Sequence, residues 1–403
     1  MRAVQGPILV VLAELLAKST PFLLVPYLAR LLGVEGFGEL ANILALAGIV
    51  AILVMLSQDV ALVRKGYNSS TIDVFKGFLI SLIIIISIAL ILYPASLIME
   101  GGLGSWYLGL SIAWLQLSLC AIQLVHKYVF YFLLQVSVLI LNILITFLAG
   151  EHDLLNANSR LKIMAGINFL SILILLVFMW VNFSPSNYKG NYRLCLEAIK
   201  DKTIFGASLI VSQASNAAKL YLDKILISQL VGMEVLGAYS LSYTFAAASL
   251  VVVGAVNKAM LPRFYNEFSK PEWSASKFQI QSIVLGAFAL VISAIFYFFP
   301  DDIYYYLFGH HIENVTIMVS IFIASIAIYV PCVLITNYLM FKGRNAIISL
   351  LSLFSTGVFL FSLIAICIGD MPKYLLPAAL LICNTVTFLL LLVYFRNLTR
   401  SAS

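Results

Sequence analysis

Eight charged side chains lie within stretches that are otherwise apolar, and these residues are the best placed in the chain to do chemistry. They are Glu14, Lys18, Arg30, Asp59, Lys219, Asp223, Lys224 and Lys258. A charge at the centre of a membrane helix costs about 2.5–3.5 kcal/mol, so it normally faces a protein interior or a water-filled cavity. Because five of the eight are basic, the set favours an anionic ligand such as a phosphate.

The spacing of these charges assigns roles within the set. Glu14 and Lys18 are four residues apart, as are Lys219 and Asp223, and residues at that spacing are neighbours on a helix. We expect Lys18 and Lys219 to bind the anion, while each acid keeps its lysine charged when the site is empty. Structural ion pairs within each helix are the alternative interpretation.

Two further basic residues complete the predicted binding set. Lys224 follows Asp223 directly, on a different part of the helix surface from Lys219. Arg30 lies near the end of its apolar stretch, from which its long side chain can also reach the membrane interface. We expect both to contribute to anion binding, with interfacial placement as the alternative for Arg30.

A short glycine motif occurs twice in the chain. Residues 33–38 read GVEGFG and residues 232–237 read GMEVLG, an offset of 199 residues that also superimposes Arg64 on Arg263. Two glycines, a glutamate and an arginine in one register indicate an internal duplication. Transporters are commonly built from such repeats, with substrate bound between them.

The same offset matches Asp59 to Lys258 on the second apolar stretch of each half. Opposite charges at equivalent positions predict an ion pair that acts as an inner gate. The alternative is that each side chain simply reaches the inner membrane interface, because each lies five residues before a basic residue that ends its stretch.

Composition places the chain in a membrane. Apolar residues make up 62% of the sequence, charged residues 10%, and the mean hydropathy is +1.04, whereas a soluble domain is about a quarter charged. The net charge of +6 therefore does not indicate a nucleic-acid partner. The sequence has no phosphate-binding glycine loop of the GxxxxGK[ST] type and no closely spaced cysteines. We expect neither a cofactor nor a metal site.

The hydropathy pattern predicts an all-α protein with twelve transmembrane helices in two six-helix lobes, related by a pseudo-twofold axis along the membrane normal around a central cavity. The N-terminal lobe would be residues 1–182, the linker 183–203 and the C-terminal lobe 204–403. The predicted spans are 7–32, 39–63, 77–99, 105–125, 128–149, 161–182, 204–231, 236–262, 278–299, 315–341, 346–369 and 374–395.

The distribution of basic residues predicts the orientation of these spans. With both termini in the cytoplasm, the outer loops contain only Arg160, Lys162 and Lys373 as basic residues, and most of the remaining lysines and arginines fall on the cytoplasmic side. This distribution satisfies the positive-inside rule. The cytoplasmic linker contains a short amphipathic pattern over 191–202, which fits either an interfacial helix or an extended connection.

Residues 26–38, PYLARLLGVEGFG, resemble the first-hairpin signature of bacterial O-antigen and polysaccharide repeat-unit flippases, and residues 223–240 resemble the start of the second half of that family. The resemblance, which extends to length and span number, implies a flippase in the bacterial inner membrane. Its substrate would be an undecaprenyl-diphosphate-linked oligosaccharide, and its implied partners are a polysaccharide polymerase and a chain-length regulator.

Two other classes of function stay open at this stage. The flippases that the chain resembles belong to the multidrug/oligosaccharidyl-lipid/polysaccharide exporter superfamily. A small-solute or drug antiporter of that superfamily would have the same fold. A membrane glycosyltransferase or O-antigen polymerase would be an enzyme, and it would need a sizeable catalytic loop that the sequence does not contain. We therefore expect a transporter without catalytic residues.

Overall fold

The computed structural model describes residues 2–66, 71–97, 102–183, 199–204, 206, 213, 215, 217–268, 275–369 and 371–400. Within those ranges the protein is almost entirely helical and contains no strand. The first six helices are α1 (Arg2–Met55), α2 (Gln58–Gly66), α3 (Thr71–Ser96), α4 (Gly102–Leu124), α5 (Tyr128–Glu151) and α6 (Ala157–Phe183).

The second half begins with an unusual local structure. A π-helical segment at Ala218–Leu222 leads directly into α7 (Asp223–Leu230). The remaining helices are α8 (Met233–Phe268), α9 (Ala275–Tyr297), α10 (Asp301–Phe308), α11 (Val315–Phe341), α12 (Asn345–Ile368) and α13 (Ala378–Arg400). Pro377, which the sequence places inside the last span, lies directly before α13, where its missing N–H breaks no helical hydrogen bond.

Nine segments of the described chain are long and apolar enough to cross a membrane. One of them, Leu9–Val63, has 55 residues and would be about 80 Å long as a continuous helix, against a hydrocarbon core of about 30 Å. It bends at Gly33, whose φ of 72° is non-helical, so this segment accommodates both of the first two predicted spans.

The count of twelve spans stays a prediction. The predicted span 204–231 falls partly on residues outside the described ranges. The predicted span 278–299 corresponds to α9, which is not among the nine segments. Of the other ten predicted spans, the first two share the segment Leu9–Val63, and each of the remaining eight overlaps one of the other eight segments.

The chain forms two compact units. Unit 1 comprises residues 1–20 and 40–225, and unit 2 comprises residues 21–39 and 226–403. Each unit therefore includes part of α1. The lobe boundaries that the sequence predicts, at 182 and 204, stay a prediction.

Each unit has its own apolar core. In unit 1, Phe78 and Ile85 of α3 are fully buried with Leu117 of α4. In unit 2, Phe268 packs edge-on against Tyr338, with ring centroids 5.3 Å apart. Aromatic pairs in this geometry add about 0.5–1.5 kcal/mol beyond the area they bury, so both cores are well suited to hold their helices in place.

The two copies of the glycine motif pack against each other within unit 2. A Cβ on Gly38 would lie 2.0 Å from the carbonyl oxygen of Met233, and a Cβ on Gly237 would lie 1.9 Å from that of Val34. Val34 and Met233 are equivalent under the 199-residue offset, as are the two glycines. The contact is therefore reciprocal, as expected of two related segments that meet about a local twofold axis.

Two basic residues assigned to loops from the sequence are buried in unit 1. Arg160 is 4% exposed, and its Nη1 donates to Thr146 Oγ1 at 2.7 Å and to Asn142 Oδ1 at 3.3 Å. Lys202 is 3% exposed, and its Nζ donates to Gly77 O at 2.6 Å and to Ser81 Oγ at 2.9 Å. Neutral oxygens on neighbouring helices solvate both charges, an arrangement that a hydropathy pattern does not reveal.

Candidate functional site

A break in unit 1 separates α1 from α2. Leu56 and Ser57 have φ values of 42° and 53°, a left-handed conformation that is uncommon for residues other than glycine and costs energy. Gly206 makes the break possible, since a Cβ there would lie 2.2 Å from Leu56 O. Such strain persists only where surrounding structure enforces it, and it concentrates at functional sites.

Asp59 follows this break in the first turn of α2. Its Oδ2 accepts a hydrogen bond from Gln116 Nε2 of α4 at 3.0 Å. Its Oδ1 is buried and has no hydrogen-bond partner among the residues that the structure describes. A buried carboxylate oxygen without a partner is costly, so this oxygen is suited to accept a hydrogen bond from a ligand or to pair with a cation.

Asp59 and Gln116 line a cavity of about 520 Å³ in unit 1. Gln213 and Tyr221 supply its other polar side chains, and aliphatic groups from α1 and α4 supply most of the rest. Gly48 lies against the Tyr221 ring, where a Cβ would approach to 2.3 Å. The cavity thus has a largely apolar wall with one carboxyl group and a few neutral polar groups.

The π-helical segment borders the same cavity. It places Leu220 and Tyr221 in the cavity wall, and the half-buried Lys219 lies beside them in the segment. One extra residue per turn changes which side chains share a face, and such bulges in membrane helices are often functional. The i,i+4 relation expected for Lys219 and Asp223 assumed a regular α-helix.

Asp223 forms an ion pair with the adjacent Lys224, with 3.3 Å between Oδ1 and Nζ. Both side chains are largely buried, at 3% and 14% exposure. Lys224 Nζ also donates to Leu220 O at 2.7 Å. This contact connects the π-helical segment to the start of α7, so the predicted acid and one of the predicted binding lysines are in direct contact.

Glu14 and Lys18 belong to unit 1 through the first part of α1. Lys18 is exposed and Glu14 is half-buried. Unit 1 therefore contains six of the eight residues of the predicted site, including all three binding lysines. The sequence, in contrast, assigned Lys18 and Lys219 to opposite lobes.

Arg30 lies in unit 2 and contacts α10. Its Nη2 donates to Tyr306 O, and its guanidinium carbon lies 5.8 Å from the centroid of the Tyr306 ring. Gly309, with φ 75°, packs against the aliphatic part of the arginine. A cation at the last carbonyls of a helix is favourable because of the helix dipole, so Arg30 anchors the end of α10.

Beneath Arg30, α10 is fixed by buried aromatic contacts. Tyr304 is 1% exposed and packs edge-on against Phe245, with centroids 5.4 Å apart. Burial, and then the nearby Asp301 carboxylate, raise the pKa of Tyr304 to about 12. Its phenol is therefore neutral at physiological pH, which suits a packing role.

The last predicted residue, Lys258, lies in α8 of unit 2, and its side chain falls outside the described residues. Asp59 is in unit 1. The gate between the two stays a prediction, and the contact of Asp59 that the structure does provide is with Gln116. In the described part of the chain, no group of three or more His, Cys, Asp and Glu residues could hold a metal ion.

Sequence reasoning missed the partners that define this site. Gln116 is one amide in a long apolar span, and Gly48 is one glycine in another. A polar residue in such a span was a usable signal, because buried polar groups require a partner. The helix break at Leu56 and Ser57 contains no glycine or proline from which it could be predicted.

Comparisons with known proteins identify both a family and a fold. The model of a family described as "Polysaccharide biosynthesis protein" matches residues 3–268. A Haemophilus influenzae protein named "Lsg locus putative protein 1" is 27% identical over 388 residues, covering 93% of this chain and 94% of that protein. An "Uncharacterized membrane protein" of the same organism is 27% identical over 381 residues and covers 89% of each chain.

Two solved structures with a similar fold are described as MATE transporters. A multidrug resistance MATE family transporter of the MOP superfamily, in an inward-facing conformation, matches with a TM-score of 0.64 at 12% identity, covering 97% of this chain and 95% of that one. The MATE multidrug transporter DinF-BH in complex with R6G also has a TM-score of 0.64, at 14% identity, covering 97% and 94%. At these identities the likeness establishes the fold alone.

Proposed function

Because the chain belongs to the family of polysaccharide biosynthesis proteins, we propose that it is a flippase for lipid-linked oligosaccharides. It moves undecaprenyl-diphosphate-linked repeat units of O-antigen or a related surface polysaccharide from the cytoplasmic to the periplasmic leaflet of the bacterial inner membrane. Twelve helices in two six-helix lobes, with both termini in the cytoplasm, would provide alternating access. A polysaccharide polymerase and a chain-length regulator would act with it.

The observation that carries this proposal is the set of cations on otherwise apolar helices of unit 1. Lys18, Lys219 and Lys224 all belong to this unit, and Lys219 lies in the π-helical segment beside the Asp59 cavity. A diphosphate cannot cross hydrocarbon without replacement of its hydration. Lysine is a compact charge on a flexible stem, so it can follow a phosphate as the phosphate moves.

The remaining residues have supporting roles in the proposal. Glu14 and Asp223 keep the binding lysines charged while the site is empty, and they release the lysines when the substrate diphosphate arrives. Asp59 is a coupling or gating residue, because its buried Oδ1 can pair with an opposite charge. Lys258 is its partner in the gate. Arg30 contributes a cation to the substrate from its position against α10.

A drug or small-solute antiporter is the second candidate, and the fold likeness to multidrug transporters favours it. Such a protein would take small organic cations, for which a set of lysines is a poor match, since like charges repel. The cationic residues therefore favour the lipid-linked diphosphate.

Complementation tests the proposal. The chain is expressed in a strain that lacks its own polysaccharide flippase. Surface glycan is measured by immunoblot, and the amount of lipid-linked repeat unit that accumulates in the cell is measured alongside it. Restored surface glycan with loss of the accumulated intermediate is the expected result. Export of a small fluorescent cation without any surface glycan would support the antiporter and contradict the flippase.

A further inference from the structure

Unit 2 contains a second polar cavity, which we term the unit 2 pocket. Its volume is about 560 Å³, within the range of about 300–1,000 Å³ that is typical of ligand sites. Its polar lining is Glu234, His311, Glu313, Asn314, Lys373 and Tyr374. None of these residues belongs to the predicted diphosphate site.

The wall of the unit 2 pocket is preformed. Val34 and Glu234 come from the two copies of the glycine motif, whose backbones are held in contact by Gly38 and Gly237. Lys373 has a fixed position as well, since its Nζ donates to Cys367 O at 3.2 Å and to Gly369 O at 3.4 Å. A pocket whose polar groups are held in advance binds its ligand with less entropic cost.

A third wall comes from the segment that leads into α11. Asn314 precedes the first turn of this helix with a left-handed φ of 56°, which is uncommon outside glycine. Its neighbours His311 and Glu313 also line the pocket. Three separate segments of unit 2 thus bring polar side chains to one cavity.

The charges of the unit 2 pocket determine which ligands fit. The two carboxylates Glu234 and Glu313 outnumber the one lysine, Lys373, so the acidic groups of the pocket disfavour a diphosphate. The described residues contain no three-residue metal cluster, so these groups form no recognisable metal site. Carboxylates accept hydrogen bonds from hydroxyl groups, and the half-buried Tyr374 offers an aromatic face. Polyhydroxylated rings combine both requirements.

We propose that the unit 2 pocket binds the glycan part of the substrate, and that it takes neutral or amino sugars in preference to acidic ones. This inference rests on the proposed function, because it assigns a second subsite to the same lipid-linked substrate. Glu234 and Glu313 accept hydrogen bonds from sugar hydroxyls, and Tyr374 packs against a sugar ring. The diphosphate and the glycan are then recognised by different residues of opposite charge.

Binding to the full chain in lipid nanodiscs tests the subsite. The probe is the free oligosaccharide released by mild acid from the lipid-linked repeat unit of the flippase-deficient strain, and its Kd is measured by titration calorimetry. The Glu234→Gln/Glu313→Gln double variant should raise this Kd by about tenfold or more, because hydrogen bonds to charged groups are the strong ones. Tyr374→Leu should raise it as well.

Glu151→Gln is the matched control, since Glu151 is an exposed acid at the end of α5, outside the pocket. It should bind the oligosaccharide as the wild type does. Inorganic pyrophosphate should bind the wild type and the double variant equally. An unchanged oligosaccharide Kd in the double variant would overturn the inference, as would a wild type that binds no oligosaccharide.

Calcium chloride serves as a competitor in the same experiment. Calcium that binds the wild type and displaces the oligosaccharide would overturn the inference in favour of a cation site. A failure of the proposed function is distinguishable from these results. In that case the wild-type protein would restore no surface glycan in the complementation experiment. The subsite can fail while the wild type still exports glycan.

Discussion

Each unit has a polar contact at adjacent positions in the register of the 199-residue offset, and the two contacts differ in charge. In unit 1, Asp59 accepts a hydrogen bond from Gln116 at 3.0 Å. In unit 2, Asn257 accepts one from Asn337 Nδ2 at 2.7 Å. Asn257 is equivalent to Gln58 under the 199-residue offset, one residue before Asp59. One contact includes a carboxyl group, and the other is neutral.

This difference indicates which unit has a functional charge at this contact. The carboxyl of Asp59 borders a cavity and has a buried oxygen without a partner among the described residues. Such a group is not expected to stabilise the fold, because neutral replacements of the same shape are often more stable. The contact of unit 2 joins two neutral amides and includes no charged group. We infer that unit 1 supplies charge chemistry at this turn, and that unit 2 supplies packing.

Replacing Asp59 by asparagine makes unit 1 resemble unit 2 at this contact, and it should have the largest effect. Asp59→Asn keeps the size of the side chain and its contact with Gln116 but removes the titratable group. We expect export of surface glycan to fall by about tenfold or more, since a hydrogen bond to a charged group is worth about 1.5–3 kcal/mol. Thermal stability should stay equal or rise. Immunoblots and thermal unfolding of the purified protein measure the two effects.

Charge reversal separates gating from other roles of Asp59. The double variant Asp59→Lys/Lys258→Asp should export more glycan than either single reversal, because it restores an attractive pair. If the double variant exports no more glycan than the single variants, Asp59 and Lys258 do not form a gate. The contact of Asp59 with Gln116 would then be its relevant interaction. A lower melting temperature for Asp59→Asn would contradict the view that this carboxyl serves function and not stability.

The glycine contact of unit 2 should show a purely structural effect. Gly38→Ala places a methyl group 2.0 Å from Met233 O, and such overpacking typically costs about 1–3 kcal/mol. Gly254→Ala is the matched control, because a Cβ there meets nothing within 4 Å. We expect a lower melting temperature for the first variant only. Equal melting temperatures would show that the two motif copies are not in close contact.

The neutral contact of unit 2 should be the least sensitive. Replacing both amides, as in Asn257→Leu/Asn337→Leu, removes donor and acceptor together, and such paired replacements are nearly neutral. We expect wild-type export and a change in stability of less than about 1 kcal/mol. A severe loss of export with normal folding would show that the polar contact of unit 2 is also needed for transport. The functional contrast between the two contacts would then be wrong.

Much of the fold could be predicted from the sequence because apolar length and repetition are visible in it. The glycine motif indicated a duplication, and Gly38 and Gly237 do meet in reciprocal contact. The resemblance of residues 26–38 to the polysaccharide flippases is confirmed at the level of the family. Helices of the right length follow from long apolar stretches alone.

The local geometry of the site could not be predicted in the same way. The break at Leu56 and Ser57 depends on tertiary packing against Gly206, which no local pattern encodes. The π-helical segment at Lys219 changes the helical register on which the i,i+4 pairing relied. Lys202 falls in the predicted linker 183–203, between two apolar stretches, whereas the carbonyl of Gly77 and the hydroxyl of Ser81 solvate it inside unit 1.

The most direct test of the account measures flipping by purified protein. Proteoliposomes containing undecaprenyl-diphosphate-linked oligosaccharide are assayed for its appearance in the opposite leaflet. The wild type is compared with Lys18→Gln/Lys219→Gln and with Lys342→Gln, which removes an exposed charge at the end of α11. The account predicts wild-type flipping for Lys342→Gln and a fall of about tenfold or more for the double variant, since charged hydrogen bonds to phosphate are lost. Flipping by the double variant at the wild-type rate would contradict it.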